Sequence, residues 1–364
     1  MAYRCGNHAT QFLNNQEAEM APKTVAEEPT RPPKSPFSFL VDAKLSVEKS
    51  TTRTKIRQTH LENNKVNDPY TDRVRDLLES TEETIDGWIT EELRKHPAYP
   101  WFSRIKGIGN ENIAKVVGLV DIHKAPTISS LWRYAGMHVT NVVVTPEQQL
   151  EEAEKSLAGL QSKLAELRKK YAKNPEKEAE DIQVLRSHKI GGLAFALQGR
   201  FGHDLEPVTR GYAPTRSMYK ATGTKLDYNS ELRVMCFRLA GSLIKAQGKY
   251  AEFYDRAKLG IVQKLQAEGT LIVPTLELPT NGNGKIFEPV GTIATGHVHM
   301  RAQRKMNKLF LSHLWLVWRQ AEGLPVSKPY THAILGHAEA GLIDPWDMVE
   351  KKPAPKPRRK TVTV

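Results

Sequence analysis

Two closely spaced glycines, Gly107 and Gly109, interrupt an apolar helical stretch and constrain the fold of this chain more than any other feature. The apolar residues around them are Trp101, Phe102, Ile105, Ile113, Ala114, Val117 and Leu119. Glycine adopts backbone conformations that a Cβ atom forbids, and it permits a close approach to another group. The pattern predicts a helix-hairpin-helix within residues 101–144, with an ordinary glycine turn between two core helices as the alternative.

A hairpin of this kind predicts an anion site at the start of its second helix, near Asn110. The first N–H groups of a helix have no partner within the helix, and they lie at its positive dipole end. Ile108 is expected to fill the small core and to leave neighbouring N–H groups facing outward. The candidate DNA-backbone contacts here are Lys106, Gly107, Ile108, Gly109, Asn110, Asn112 and Lys115.

The charge balance favours a polyanionic partner. The 364 residues include 53 Lys and Arg against 41 Asp and Glu, which gives a net charge of +12. Only two cysteines are present, so a disulfide framework or a cysteine-based zinc site is excluded, and we expect an intracellular protein. The longest apolar run, near 309–318, is too short to span a bilayer, so no membrane partner is expected.

The hydrophobic pattern predicts a mainly α fold: a helix-hairpin-helix core, a helical N-terminal unit, a coiled-coil arm and long C-terminal helices. The predicted segments are a disordered region at 1–36, a helical N-terminal region at 37–100, the hairpin at 101–144, the arm at 145–192, a helical domain at 193–262, a connecting loop at 263–296, a C-terminal basic helix region at 297–350 and a basic tail at 351–364.

The arm begins with a strong helix-start signal. Thr145 is a typical N-cap, Pro146 suits the first helical position, and Gln148 can complete a capping box. Apolar residues then recur in steps of three and four from Leu150 to Tyr171, as in a coiled coil. Residues 179–185 can return as a second helix, so an intramolecular hairpin and a homodimer through the arm both remain open.

A basic stripe is predicted on the long helix that begins near His297. Arg301, Arg304, Lys305 and Lys308 lie at offsets that share one helical face. They are candidate phosphate contacts, and a solvated helix face is the alternative. His297 and His299, with His313 later in the helix, suggest a metal site, but no Cys, Asp or Glu lies nearby in sequence to complete it, and polar residues at a helix start are the preferred interpretation. His332 and His337 are equally ambiguous. No metal and no other cofactor is therefore predicted.

The order of these motifs resembles the C-terminal portion of the transposases of the insertion-sequence one-ten family. The matching runs are Ile105–Gly109 with its helix, Leu131–Met137, Gly223–Arg233, His299–Arg319, Gly323–Val326 and Pro329-Tyr330. The resemblance covers roughly residues 70 to 350 at the level of pattern. It implies a DNA-binding protein of mobile-element transposition and recombination, in the cytoplasm of a prokaryote and associated with the nucleoid.

The family also implies a RuvC-like nuclease domain with acidic metal ligands, a nucleophilic serine and a structured guide RNA. Asp42 is the one candidate for the strand-borne nuclease carboxylate, and its surroundings are helical, so we expect no nuclease domain in this sequence. For the serine, the chain offers Ser217, Thr224 and Ser230 as candidates. The simpler interpretations are a loop residue for Ser217 and a helix cap for Ser230.

Three functions therefore follow from the sequence. The first is a recombinase that uses one of these hydroxyl groups. The second is a non-catalytic accessory protein that binds DNA. The third is a protein that binds structured RNA.

Overall fold

The computed structural model describes residues 35–171, 193–195, 197–198, 206–327 and 343–350. Within them the fold is mainly α-helical, as the sequence predicts. The predicted disorder of residues 1–34, the returning half of the arm, His332, His337 and the basic tail lie outside the described residues.

The N-terminal region is a pair of helices rather than one. Helix α1 spans Pro36–Asn63 and α2 spans Pro69–Leu93. Asp68 caps α2 by accepting a hydrogen bond from the Tyr70 N–H, and Pro69 takes the first helical position. The buried Lys44 ammonium of α1 joins the two helices, since it contacts Asp86 at 2.6 Å and Glu82 at 3.2 Å.

Three short helices follow this pair. They are α3 at Tyr99–Phe102, α4 at Asn110–Gly118 and α5 at Ile128–Tyr134. Of these, α4 packs against both helices of the pair. Helix α4 lies directly on α1, because a Cβ atom added to Gly118 would come within 2.5 Å of Val41. Gly136 follows α5 with a φ of 67°, a left-handed conformation suited to glycine at a helix end.

The arm helix α6 spans Pro146–Tyr171 and begins as predicted. The Thr145 N–H donates to Gln148 Oε1, and the Gln148 N–H donates to Thr145 Oγ1. At its base, β1 (Thr140–Val144) pairs antiparallel with β2 (Val208–Tyr212), a pairing that the sequence did not predict. Three apolar residues of the predicted seam pack against the same chain: Leu157, Leu160 and Leu164 contact a cluster that contains Leu193, Ala194 and Leu197.

The C-terminal half holds the longest buried helix. Helix α7 spans Arg216–Ala221, α8 spans Ser230–Ala246, α9 spans Lys249–Ala267 and α10 spans Thr295–Ala321. The predicted loop at 263–296 contains the end of α9 and two strands, β3 (Leu271–Val273) and β4 (Thr292–Ala294), which pair in parallel. That loop prediction was therefore only partly right.

Helix α10 runs through the main hydrophobic core. Trp315 and Phe310 of this helix are buried with Trp101 of α3 and Tyr250 of α9. Trp315 Nε1 donates to the Ala125 carbonyl oxygen at 2.8 Å, which gives the buried indole a hydrogen-bond partner. Among the described residues, no helix combines the length and the apolar composition needed to cross a membrane.

Candidate nucleic-acid interface

Gly107 is required by helix packing rather than by an open anion cradle. Its φ is 91°, and it lies against the C-terminal end of α8. A Cβ atom added there would come within 2.5 Å of Ala246 Cβ and 2.9 Å of the Ser242 carbonyl oxygen. The first glycine of the predicted hairpin thus lets the chain approach α8 closely, on the side of the bend that faces the protein.

The other side of the bend is open. Gly109 and Asn110 are exposed, and a Cβ atom added to Gly109 would have no neighbour within 4 Å. Gly109 is the N-cap of α4 and has no side chain to accept a hydrogen bond from the first N–H groups of this helix. The positive end of α4 therefore faces solvent, where a phosphate oxygen can reach it.

The remaining residues of the bend divide between solvent and the protein. Lys106 is exposed, whereas Ile108 is half-buried and packs against the main core, as expected for the residue between the glycines. The Asn112 side chain donates to Ser242 Oγ at 3.3 Å, so it connects the start of α4 to α8.

Lys115 has a different position from the one that the DNA-contact prediction requires. Its side chain is 2% exposed, and its ammonium contacts Glu48 of α1 and, at 2.7 Å, Glu111 of its own helix. The hydrogen bond from Lys115 also lowers the pKa of Glu111 below its ordinary value. Lys115 is thus neutralised and enclosed, and we assign it to the attachment of α4 to α1.

The exposed face of α8 carries cations that the sequence analysis did not single out. Val234, Arg238, Gly241 and Lys245 follow one another in steps of four, three and four, so they share one side of the helix. The side chains of Arg238 and Lys245 are exposed there. Ser242, which contacts Asn112, borders this face on the side of α4.

Helix α8 is deficient in negative charge. Its one carboxylate, Glu231, is paired with Lys49 of α1. Within the described part of the chain, neither Arg238 nor Lys245 has a carboxylate at ion-pair distance. The exposed face of α8 is therefore a basic strip that begins beside the open end of α4.

The four basic residues of α10 do not form one uniform stripe. Arg301 and Lys305 are exposed, whereas Arg304 and Lys308 are partly buried and turn toward α5. Arg304 donates to the His138 carbonyl oxygen, and the Lys308 ammonium lies 4.6 Å from the centre of the Trp132 ring. The predicted face thus contains two solvent-facing cations and two that belong to a pocket.

Arg233 of α8 reaches the same pocket from the opposite side. A Cβ atom added to Gly136 would come within 3.1 Å of Arg233 Cδ, so the glycine turn makes room for this arginine. The Arg233 guanidinium lies 5.2 Å from the centre of the Tyr228 ring and donates to the Pro214 carbonyl oxygen at 2.5 Å. Burial, together with the charge of Arg233, lowers the pKa of Arg304 to about 10.

One carboxylate, Asp227, lies at the edge of this pocket and is already engaged. Tyr219 donates its hydroxyl to Asp227, Arg133 Nε donates at 3.0 Å, and His138 Nε2 lies at 3.4 Å. The hydrogen bond to Asp227 raises the pKa of Tyr219 to about 12. Burial lowers the pKa of His138 below its ordinary value, although the charge of Asp227 opposes the shift.

The hydroxyl candidates are not brought together with a base. Ser217 is exposed on α7, and Thr224 Oγ1 lies 2.8 Å from Thr222 Oγ1. Ser230 Oγ accepts a hydrogen bond from Arg216 Nη2 at 3.2 Å. The helix cap is Asn229 rather than Ser230, because the Asn229 side chain accepts from the N–H groups of Glu231 and Leu232, so the cap interpretation of Ser230 was wrong.

The three histidines of the metal hypothesis that lie in the described residues, His297, His299 and His313, have protein partners. His299 Nδ1 lies 2.6 Å from the Tyr254 hydroxyl, and His297 Nδ1 lies 2.8 Å from Glu288 Oε2. The buried His313 contacts the Tyr250 hydroxyl and the Ile343 carbonyl oxygen. Across the described ranges, no three His, Cys, Asp or Glu side chains group in a way that could hold a metal ion.

Arg233, Arg238 and Lys245 are the basic residues that the sequence analysis missed. A signal was present, since α8 was predicted as an amphipathic helix and its polar side has three cations against one carboxylate. The proximity of Arg233 to Arg304 had no such signal, because the two residues are 71 positions apart.

Comparison with protein-family models, curated proteins and solved structures finds no match for this chain.

Proposed function

We propose that this protein binds DNA through contacts to the sugar-phosphate backbone. The binding surface consists of the open N-terminus of α4, the exposed face of α8 and the basic residues of α10. The observation that carries the proposal is the exposed pair Arg238 and Lys245, which lies without carboxylate partners among the described residues beside the uncapped start of α4.

The chemistry of these groups favours a phosphate backbone over base edges. Helix N-terminal N–H groups and cations spaced along a helix bind phosphate oxygens without regard to sequence. Release of the counterions condensed on DNA then supplies much of the binding free energy. The net charge of +12 attracts the duplex from a distance and adds to the rate of association.

A role in mobile-element transposition remains a prediction from the family resemblance. The surface supports an accessory DNA-binding role more directly than catalysis, because among the described residues no hydrogen bond joins the hydroxyl group of Ser217, Thr224 or Ser230 to a carboxylate or an imidazole. RNA presents the same phosphate chemistry, so the experiment must compare the two polymers.

The proposal is tested with two double variants of equal charge change. Arg238→Gln with Lys245→Gln removes the basic strip of α8. Lys155→Gln with Lys163→Gln removes two cations of α6 that pair with carboxylates of the arm. Affinity for a short DNA duplex is measured by fluorescence anisotropy, and an RNA hairpin of equal length is the competitor.

We expect the α8 double variant to bind DNA about tenfold more weakly and the α6 double variant to bind as the original protein does. Equal DNA affinity of the two double variants would show that the exposed face of α8 does not bind DNA. Preferential binding of the RNA hairpin would show that DNA is the wrong partner.

A further inference from the structure

Three cations meet at the Gly136 turn, and their partners are all neutral. Arg304 donates to the His138 carbonyl oxygen, and Arg233 donates to the Pro214 carbonyl oxygen. Within the described ranges, none of Arg233, Arg304 and Lys308 has a carboxylate at ion-pair distance. The pocket therefore concentrates positive charge that the protein itself does not neutralise.

Aromatic rings hold two of these cations in place. The Lys308 ammonium lies over Trp132, and the Arg233 guanidinium lies over Tyr228. A ring face attracts a cation but carries no net charge, so it orients the group and leaves its charge available. Trp132 Nε1 in turn donates to the Lys308 carbonyl oxygen at 3.1 Å, which fixes the ring against α10.

The neighbouring carboxylate, Asp227, is engaged by groups other than the three cations. Both oxygens of Asp227 are occupied, Oδ1 by the Tyr219 hydroxyl and Oδ2 by Arg133 Nε. Arg133 lies on the outer side of this pair, with 67% of its side chain exposed. Asp227 therefore balances Arg133, and Arg233 and Arg304 remain without a negative partner.

Partial burial makes this arrangement unfavourable without an anion. Burial and the charge of Arg304 lower the pKa of Lys308, just as burial and Arg233 lower that of Arg304. Cations that are partly removed from water and placed beside like charges are destabilised unless an opposite charge joins them. A phosphate group supplies that charge, and its oxygens match the planar donor fork of arginine.

We propose that Arg233, Arg304 and Lys308 form a binding pocket for one phosphate group at the Gly136 turn. The proposal rests on the proposed function in one respect, since the phosphate it assigns is one from the nucleic-acid backbone. Free phosphate has the same chemistry, so it serves as the probe.

The test measures thermal unfolding of the full chain in potassium phosphate and in potassium chloride at equal ionic strength. The variants are Arg233→Met, Arg304→Met and Lys308→Met, which keep an apolar stem. The matched control is Arg73→Met, because Arg73 is exposed on α2, its guanidinium lies 5.9 Å from the centre of the Tyr70 ring, and it belongs neither to the pocket nor to the proposed DNA-binding surface. Each variant is also titrated with the DNA duplex.

We expect phosphate to raise the unfolding temperature of the original protein and of Arg73→Met above the value in chloride. Each pocket variant should show a smaller increase, because it keeps only the general stabilising effect of phosphate on folded proteins. Because the readout is the difference between two salts, a change in basal stability does not affect it. If one arginine variant does not fold, the comparison is made with the other arginine variant and with Lys308→Met.

Failure of the pocket and failure of the proposed function are distinguishable. A phosphate response that is absent, or that is equally large in the original protein and in all pocket variants, overturns the pocket even if DNA binds. If the phosphate response depends on these residues but the protein does not bind DNA, the phosphate pocket is supported. The assignment of its ligand to a nucleic-acid phosphate is then refuted.

Discussion

Gly107 lies so close to Ala246 that no side chain fits between them: a Cβ atom added to Gly107 would lie 2.5 Å from Ala246 Cβ. The contact joins the loop before α4 to the last turn of α8. It separates the two glycines of the bend by role: Gly107 serves packing, and Gly109 faces solvent. Replacing both glycines together would therefore confuse a folding defect with a binding defect.

Gly107→Ala is expected to destabilise the protein by about 2 kcal/mol or more, because it combines a strained positive φ with an overlap against α8. Gly109→Ala is the control, since its φ is −88° and the added methyl group meets no atom within 4 Å. Its cost should stay below about 1 kcal/mol. Chemical denaturation measures both free energies of unfolding, and similar losses would show that the Gly107 contact is not needed.

The open N-terminus of α4 allows a test at a single N–H group. Asn110→Pro removes this donor while suiting the first helical position, and the extended backbone of Gly109 is compatible with a following proline. Asn110→Ala removes only the side chain. We expect Asn110→Pro to weaken DNA binding about tenfold relative to Asn110→Ala, as for the loss of one charge-assisted hydrogen bond. Equal affinities would mean that no phosphate contacts this N–H group.

Replacing Lys115 should lower the stability of the protein, whereas replacing Lys106 should lower its affinity for DNA. Lys115→Met leaves Glu48 and Glu111 without their shared cation, so the free energy of unfolding should fall by about 2–4 kcal/mol. Lys106→Met changes an exposed residue, so its stability should change by less than about 0.5 kcal/mol and its DNA affinity should fall instead. If Lys115→Met is as stable as the original protein but binds DNA more weakly, Lys115 contacts DNA and does not serve to attach α4 to α1.

Two buried histidines predict a stability that decreases in mild acid. Burial lowers the pKa of His96 and of His313 to about 4 from an ordinary value of 6.5. Between these values the unfolded chain binds more protons than the folded chain, so stability is lost as pH falls from about 6.5 toward 4. Each group contributes a slope of at most about 1.4 kcal/mol per pH unit. Urea denaturation at pH 7, 6 and 5 measures it, and equal stabilities would contradict the burial of both imidazoles.

The sequence predicted the elements whose signals are local. Thr145, Pro146 and Gln148 mark the start of α6 within four residues, and Gly136 marks the end of α5. The break between α1 and α2 also had a local signal in Asp68-Pro69, which the prediction of a helical region at 37–100 did not use. The predicted boundary between the helical domain and the loop, at residues 262 and 263, falls inside α9, which continues to Ala267.

Features that depend on distant residues were not predictable in the same way. Strands β1 and β2 pair across the whole arm, so neither strand has a nearby partner in sequence. Glu111 is visible as a partner of Lys115 one helical turn away, but Glu48 belongs to α1 and closes the site only in the folded protein. The Arg233–Arg304 pocket has the same origin, since packing of α8 and α10 around Gly136 creates it.

The salt dependence of DNA binding tests the central claim most directly. If the basic surface of α4, α8 and α10 neutralises about four or five phosphates, a plot of log affinity against log salt concentration should be linear with a slope of about −4. The Arg238→Gln, Lys245→Gln double variant should reduce the steepness of that slope by about two. An affinity that does not change between low and physiological salt would contradict phosphate binding by this surface.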